Sequence, residues 1–297
     1  MNPREKGFLL LTSQLGDPQR KPLTVAQFRK LAARAREMNA PLDDRNMQPS
    51  DLTALGFSEE MAERVLMLLS HKELLEFYLR KAKLANCVPI TRVSEDYPLA
   101  VRKKLGEDSP GCLWAKGDIS ILHTPCISLV GSRDLRPDNQ RFAREAGRQA
   151  VRQGYTLVSG NARGADSVAQ EACLEAGGRV ISVVADKLET QRVRRGVLYL
   201  SEDDFDASFS ALRALSRNRV IHCLGQKTLV AQATLGTGGT WNGTERNLRA
   251  GWSSVLCYDD GSEAFRQLIQ MGASAVTCGE LEDIASLEND CSSFFCR

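Results

Sequence analysis

CISLVGSR (126–133) and LVSGNARGAD (157–166) decide the fold. Each joins a short, largely aliphatic run to a turn of small residues carrying an arginine. Helical patterns follow, PDNQRFAREAGRQAV (137–151) after the first and SVAQEACLEAGG (167–178) after the second. A near-continuous apolar run of this length reads as a strand buried on both faces, the kind found in parallel sheets. The texture continues on either side. The second run is the end of YTLVSG (155–160), and GRVISVVA (178–185), GVLYLSE (196–202), KTLVAQA (227–233) and SSVLCYD (253–259) are further strand candidates, each followed by a helical pattern or a glycine-rich turn.

Strands alternating with amphipathic helices predict a doubly wound, Rossmann-like α/β domain with a mostly parallel sheet, here placed over residues 89–297. Residues 1–88 have another texture. From Thr24 to about Leu84 apolar residues recur every three or four positions, as in Leu52, Leu55 and in Met61, Val65, Leu68, Leu69. Ser58-Glu-Glu is a helix start, and Pro22 and DDRNMQPSD (43–51) punctuate the pattern. This predicts a small all-helical domain, similar to sterile-alpha-motif-like or helix-hairpin-helix modules.

The chain has 297 residues, with Lys+Arg 39 against Asp+Glu 37 and a formal net charge of +2. Such a balance excludes a globally basic binder, so any anionic ligand must be met by locally clustered charge. No apolar run reaches the roughly 18 residues of a membrane span, and the N-terminus carries no small-residue cleavage site, so the expectation is a cytoplasmic protein. The nine cysteines are scattered and never in CxxC spacing, and the three histidines are dispersed. Neither a disulfide framework, a metal site nor a cofactor is expected.

The chemistry concentrates where strands end. Gly131-Ser132-Arg133 precedes a helix opened by Arg136-Pro137-Asp138, so free backbone N–H groups and a planar guanidinium meet in one phosphate cradle. Ser159-Gly160-Asn161-Ala162-Arg163-Gly164-Ala165-Asp166 repeats the arrangement at the next strand, with Asp166 as ligand group or helix cap. Ser216-Arg217-Asn218-Arg219 opens an apolar helix, where unpaired arginines demand an anionic partner or an acidic neighbour. ATLGTGGTWNGTE (233–245) supplies donors at Thr237, Gly238, Gly239 and Thr240 near a helix start, with Trp241 as a packing group or stacking face. Arg141, Arg144, Arg148 and Arg152 share one helix face, a solvated stripe or an extension of a phosphate track.

Together these pieces resemble a known family. The ordered set Glu95-Asp96-Tyr97-Pro98, VGSR, LVSGNARGAD, Leu200-Ser201-Glu202, SRNRVI (216–221), TGGT (237–240) and LIQMGASAVT (268–277) is similar to the DprA/Smf DNA-processing proteins over roughly residues 94 to 285. The resemblance implies an extended Rossmann fold that binds single-stranded DNA in a basic pocket, forms homodimers and passes DNA to a RecA-like recombinase, without a catalytic reaction. It assigns phosphate contacts to Gly131, Ser132, Arg133, Ser159, Gly160, Arg163, Gly164, Asp166, Arg217, Asn218 and Arg219. Duplex DNA is a second candidate ligand.

The sequence departs from the family pattern in four places. Asn161 replaces an apolar residue, ADKLETQRVRRG (185–196) is shorter than usual, no winged helix is expected after the Rossmann part, and the GGTWNGTE loop shifts in register. Such a divergent member is similar to proteins of defence and toxin–antitoxin systems. The loop also resembles that of LOG-type nucleotide phosphoribohydrolases, which makes Glu245 the acid/base of an alternative, enzymatic reading.

Overall fold

The computed structural model describes residues 1–37 and 47–287. The start of the DDRNMQPSD stretch, Cys291 and Cys296 lie outside the described residues. Nine described strands form one sheet. They are β1 (Val88–Thr91), β2 (Cys112–Lys116), β3 (Cys126–Val130), β4 (Thr156–Ser159), β5 (Val180–Val183), β6 (Val197–Ser201), β7 (Lys227–Val230), β8 (Ser254–Tyr258) and β9 (Ser274–Val276). The order is β1-β2-β6-β5-β4-β3-β7-β8-β9. All pairings are parallel except β1–β2 and β2–β6. The fold is α/β and Rossmann-like, as the alternating texture predicts.

Period-two alternation sends successive strand residues to opposite faces. Ile127, Leu129, Leu157, Val180, Leu229 and Leu256 join one core layer. Val130, Val158, Ile181, Leu198, Val230 and Val255 join the other. The first layer is covered by α7 (Pro137–Arg152) and α8 (Ala165–Glu175) through Phe142, Ala146, Ala150, Ala169 and Cys173. The second is covered by α6 (Leu99–Leu105), α10 (Asn218–Leu224), α11 (Gly238–Ala250) and α12 (Glu263–Gln270) through Val101, Val220, Ile221, Trp241 and Leu268. Since β4 lies on one side of β3 and β7 on the other, the winding reverses at β3. A crevice opens there at the carboxyl ends of the strands.

The helical region contains α1 (Pro3–Thr12), α2 (Val25–Glu37), α3 (Pro49–Ala54), α4 (Glu59–Ser70) and α5 (Lys72–Leu84). Ser58 caps α4 by accepting from the Met61 N–H at 3.3 Å, so the sequence-derived helix start is the real one. The α1 helix lies ahead of the expected helical stretch. It opens with a capping box between Asn2 and Glu5 and buries Phe8 through Leu11. Leu11, Leu31, Leu52, Val65 and Leu68 form a small core of their own, whereas Leu9, Leu10, Leu75, Tyr78 and Ala82 join the first layer of the sheet. The seven described cysteines are free, and five of them are buried.

One buried group makes stability depend on pH. His222 on α10 is 0% exposed, with Nδ1 3.2 Å from both Thr228 Oγ1 and Asn247 Nδ2. Burial, helped by the positive charges of Arg217 and Lys104, lowers its pKa to about 3. The unfolded chain therefore takes up a proton near pH 6.5 that the folded chain refuses. His222 thus contributes stability present above about pH 6.5 and lost as pH falls toward 3. Urea titrations from pH 7 to pH 4 should show a steeper loss for wild type than for His222→Asn, and equal slopes would contradict the assignment.

Candidate anion-binding site

Four chain segments meet at the crevice. Val130 ends β3, and Gly131, Ser132 and Arg133 line a cavity of about 650 Å³ together with Asp166, Arg217, Asn218 and the Thr237–Thr240 turn. The loops after β3 and β4 interlock. The Ser132 carbonyl accepts from the Ala165 N–H at 3.1 Å, and the Ser132 N–H donates to the Gln232 carbonyl at 2.9 Å. Gly164 has φ of +87°, and a Cβ there would lie 2.4 Å from the carbonyl oxygens of both Ser132 and Arg133. Only glycine satisfies both that backbone conformation and that approach.

Asp166 is buried, and its Oδ2 accepts from the N–H groups of Gly160 and Ala162, each at 3.1 Å. It does not cap α8, whose cap position is Gly164. The carboxylate instead holds the β4–α8 loop closed. Burial raises its pKa, and the opposing influences are Arg217, the two N–H donors and Arg133.

Arg217 is the most telling residue. It is 8% exposed, its guanidinium lies against the Gly160 Cα, and a Cβ on Gly160 would sit 1.6 Å from Nη1. Burial lowers its pKa against the pull of Asp166 and Asp186. Its Nε is buried without a hydrogen-bond partner, and the guanidinium makes no ion pair with another described residue. A buried cation with an unmet donor is costly unless a ligand completes it. Arg133, at the rim, is exposed and likewise makes no ion pair with a described residue.

The start of α11, with Thr237 in the cap position, lines the same cavity as Arg217. The N–H groups of the first turn, Gly238, Gly239 and Thr240, have no partner within the helix and border the cavity, at the positive end of the helix dipole. Asn218 fixes this turn by donating from Nδ2 to the Gly239 carbonyl at 2.9 Å. Two cations, one held carboxylate and a helix N-terminus thus line one cavity.

Other sequence candidates lie elsewhere. Ser159 is fully buried and accepts from Gln170 Nε2 at 2.6 Å, so it supports the loop from beneath. Asn161 is exposed in the left-handed region with φ of 57°, where asparagine is better tolerated than most residues. Arg163 is exposed and paired with Asp134 at 2.9 Å. Arg219 bonds to Glu202 Oε2 through Nε at 3.1 Å and Nη2 at 2.9 Å and to the Asp108 carbonyl at 2.8 Å, away from the cavity lining.

Trp241 is 7% exposed in the second core layer, so it packs and offers no stacking face. Glu245 pairs with Arg249 at 2.6 Å and is not part of the lining. Along α7, Arg141 pairs with Asp138 at 2.7 Å, and Glu145 lies near Arg148 and Arg152, so the stripe is partly neutralised.

The structure adds an apolar lip that the sequence reading did not single out. Phe209, Ala211, Ala214 and Leu215 also line the cavity, on and before α9 (Ala211–Ser216). Phe209 is 58% exposed at this edge. Its only signal in the sequence is an aromatic residue among polar ones. Among the described residues no cluster of His, Cys, Asp and Glu could hold a metal ion, and no helix is long and apolar enough to cross a membrane.

Fold and site together define a Rossmann-type protein with a cavity lined by arginines at its winding reversal. The chain belongs to the DprA/Smf family: the family model described as DNA recombination-mediator protein A matches residues 89–287. It is 33% identical over 198 residues to protein Smf of Escherichia coli K12, an alignment covering 61% of this chain and 51% of that protein. It is 29% identical over 189 residues to DNA processing protein DprA of Streptococcus pneumoniae, covering 58% of this chain and 66% of the relative. The chain thus matches about half to two thirds of these relatives' lengths.

Among solved structures, the S. pneumoniae DprA fold superposes with a TM-score of 0.69 at 23% identity, over 97% of this chain and 99% of that one. DNA processing protein A of Helicobacter pylori, described for its single-stranded DNA binding mode, superposes with a TM-score of 0.58 at 22% identity, over 67% of this chain and 95% of that one.

Proposed function

We propose that the cavity at β3 and β7 binds single-stranded DNA through its phosphates, without chemistry on the strand. The observation that carries the reading is the buried side chain of Arg217, whose Nε has no hydrogen-bond partner and which lines one cavity with the first turn of α11 and the rim cation Arg133. Family membership and the single-stranded DNA binding of the H. pylori relative support it. The pocket lies between strand ends, and a duplex cannot bring its backbone to a buried floor without unpairing, so single strands are preferred. Phe209 replaces Trp241 as the stacking face, because it is the aromatic residue exposed at the lip.

The test is anisotropy titration of a labelled oligothymidylate at several salt concentrations. Arg133→Ala should weaken binding for every sequence and reduce the salt slope by about one, because one phosphate contact is lost. Phe209→Ala should weaken binding about tenfold with the slope unchanged, since stacking releases no counterion. An Arg133 variant with wild-type affinity and slope would contradict the reading.

A further inference from the structure

The connection from β6 to α10, EDDFDASFSALRALSR (202–217), carries both the lip and Arg217. Its helix α9 buries none of its six residues, and Leu212 is 77% exposed. With no fully buried residue, α9 depends on its ends and on its contact with α11, where Leu215 lies near Gly239. The far end is Arg217 itself. The near end is fastened to the N-terminal helices. Phe205 is fully buried, with its ring 4.8 Å from Tyr78 and 4.9 Å from Trp114. Asp204 Oδ1 accepts from Ser13 Oγ at 3.2 Å, and Asp206 accepts from Tyr78 Oη at 2.9 Å and from Lys81 Nζ at 2.7 Å. Asp203 then binds Arg213 Nε of α9 at 2.7 Å.

We propose that Tyr78 and Lys81 of α5 are positioning residues for the anion pocket: through Asp206 they fix segment 203–217, and so the places of Phe209 and Arg217. The helical layer thereby becomes part of the binding apparatus, although none of its residues lines the cavity. The link is reciprocal, so a ligand on Arg217 tightens the contact between α5 and Asp206, and loosening that contact weakens the ligand. Its functional half rests on the phosphate-binding reading; its mechanical half does not.

The test compares the 297-residue chain with its Tyr78→Phe/Lys81→Met variant, which keeps the aromatic packing and removes both donors to Asp206. Hydrogen exchange without ligand should be about tenfold faster in 207–217 and unchanged in α7 and α8. Oligothymidylate affinity should fall about tenfold. Lys81→Arg in the Tyr78→Phe background, which returns a cation to Asp206, should restore both. Exchange in 207–217 equal to wild type overturns the proposal, as does faster exchange with unchanged affinity. If wild-type protein binds no oligonucleotide, the DNA reading falls by itself, and the ligand-free exchange decides the mechanical link.

Discussion

Arg217→Met should bind oligothymidylate about a hundredfold more weakly than wild type, while the ligand-free protein unfolds at no lower temperature. The first half follows from charge-assisted hydrogen bonds, which contribute about 1.5–3 kcal/mol when one partner is ionised. The second half follows from the state of the residue without ligand. Its guanidinium is buried, its Nε is unmet, and burial already disfavours its charge. Methionine fills similar volume without that cost, and Asp166 keeps the N–H donors of Gly160 and Ala162. A residue held for folding would show the reverse, with stability falling and binding falling only as far as unfolding requires. Melting curves with and without oligonucleotide separate the two, because ligand should raise the midpoint of wild type and leave the variant unmoved.

Gly164→Ala, at the interlocked loops that border the pocket, should be strongly damaging for so small a substitution. The added methyl would meet two backbone carbonyl oxygens at 2.4 Å, and the backbone is in a conformation that alanine strains to adopt. Both loops must part, which breaks the bond from Ala165 N–H to the Ser132 carbonyl. A loss of about 3 kcal/mol is expected, together with binding too weak to titrate. Urea unfolding measures the first, anisotropy the second. Gly236→Ala serves as the contrast. It also has a positive φ, at +69°, but nothing lies within 4 Å of an added methyl, so backbone strain acts there without a clash. Equal losses at the two positions would mean that loop interlocking contributes nothing.

Six of the seven parallel strands were legible because each is an apolar run bounded by glycine or polar residues, a purely local signal. The antiparallel extension and the last parallel strand were not. Val88–Thr91 is an edge strand whose first residue is exposed, and Ser274–Val276 has three residues, so neither shows a strand period. The glycine loops pointed to the cavity because phosphate cradles require small residues ahead of a helix. Their details depended on neighbours. GGTWNGTE reads as a loop, yet it is the first turns of α11, where Gly243 lets the helix approach Asn218 and His222 and Trp241 turns into the core. Arg217 and Arg219 looked equivalent in sequence. Helical geometry separates them by about 200°, sending one to the cavity and the other to Glu202. Asp166 read as a ligand group or a cap because caps are local, whereas its partners are N–H groups of the preceding loop.

The most direct measurement is an anisotropy titration of wild-type protein with labelled oligothymidylate and, separately, a matched duplex, each at several salt concentrations. A pocket built from Arg217, Arg133 and the α11 N-terminus predicts tight binding of the single strand, a steep salt slope and clearly weaker binding of the duplex. No binding of the single strand at low salt would contradict the account, and would mean that the anion completing Arg217 is not a DNA phosphate.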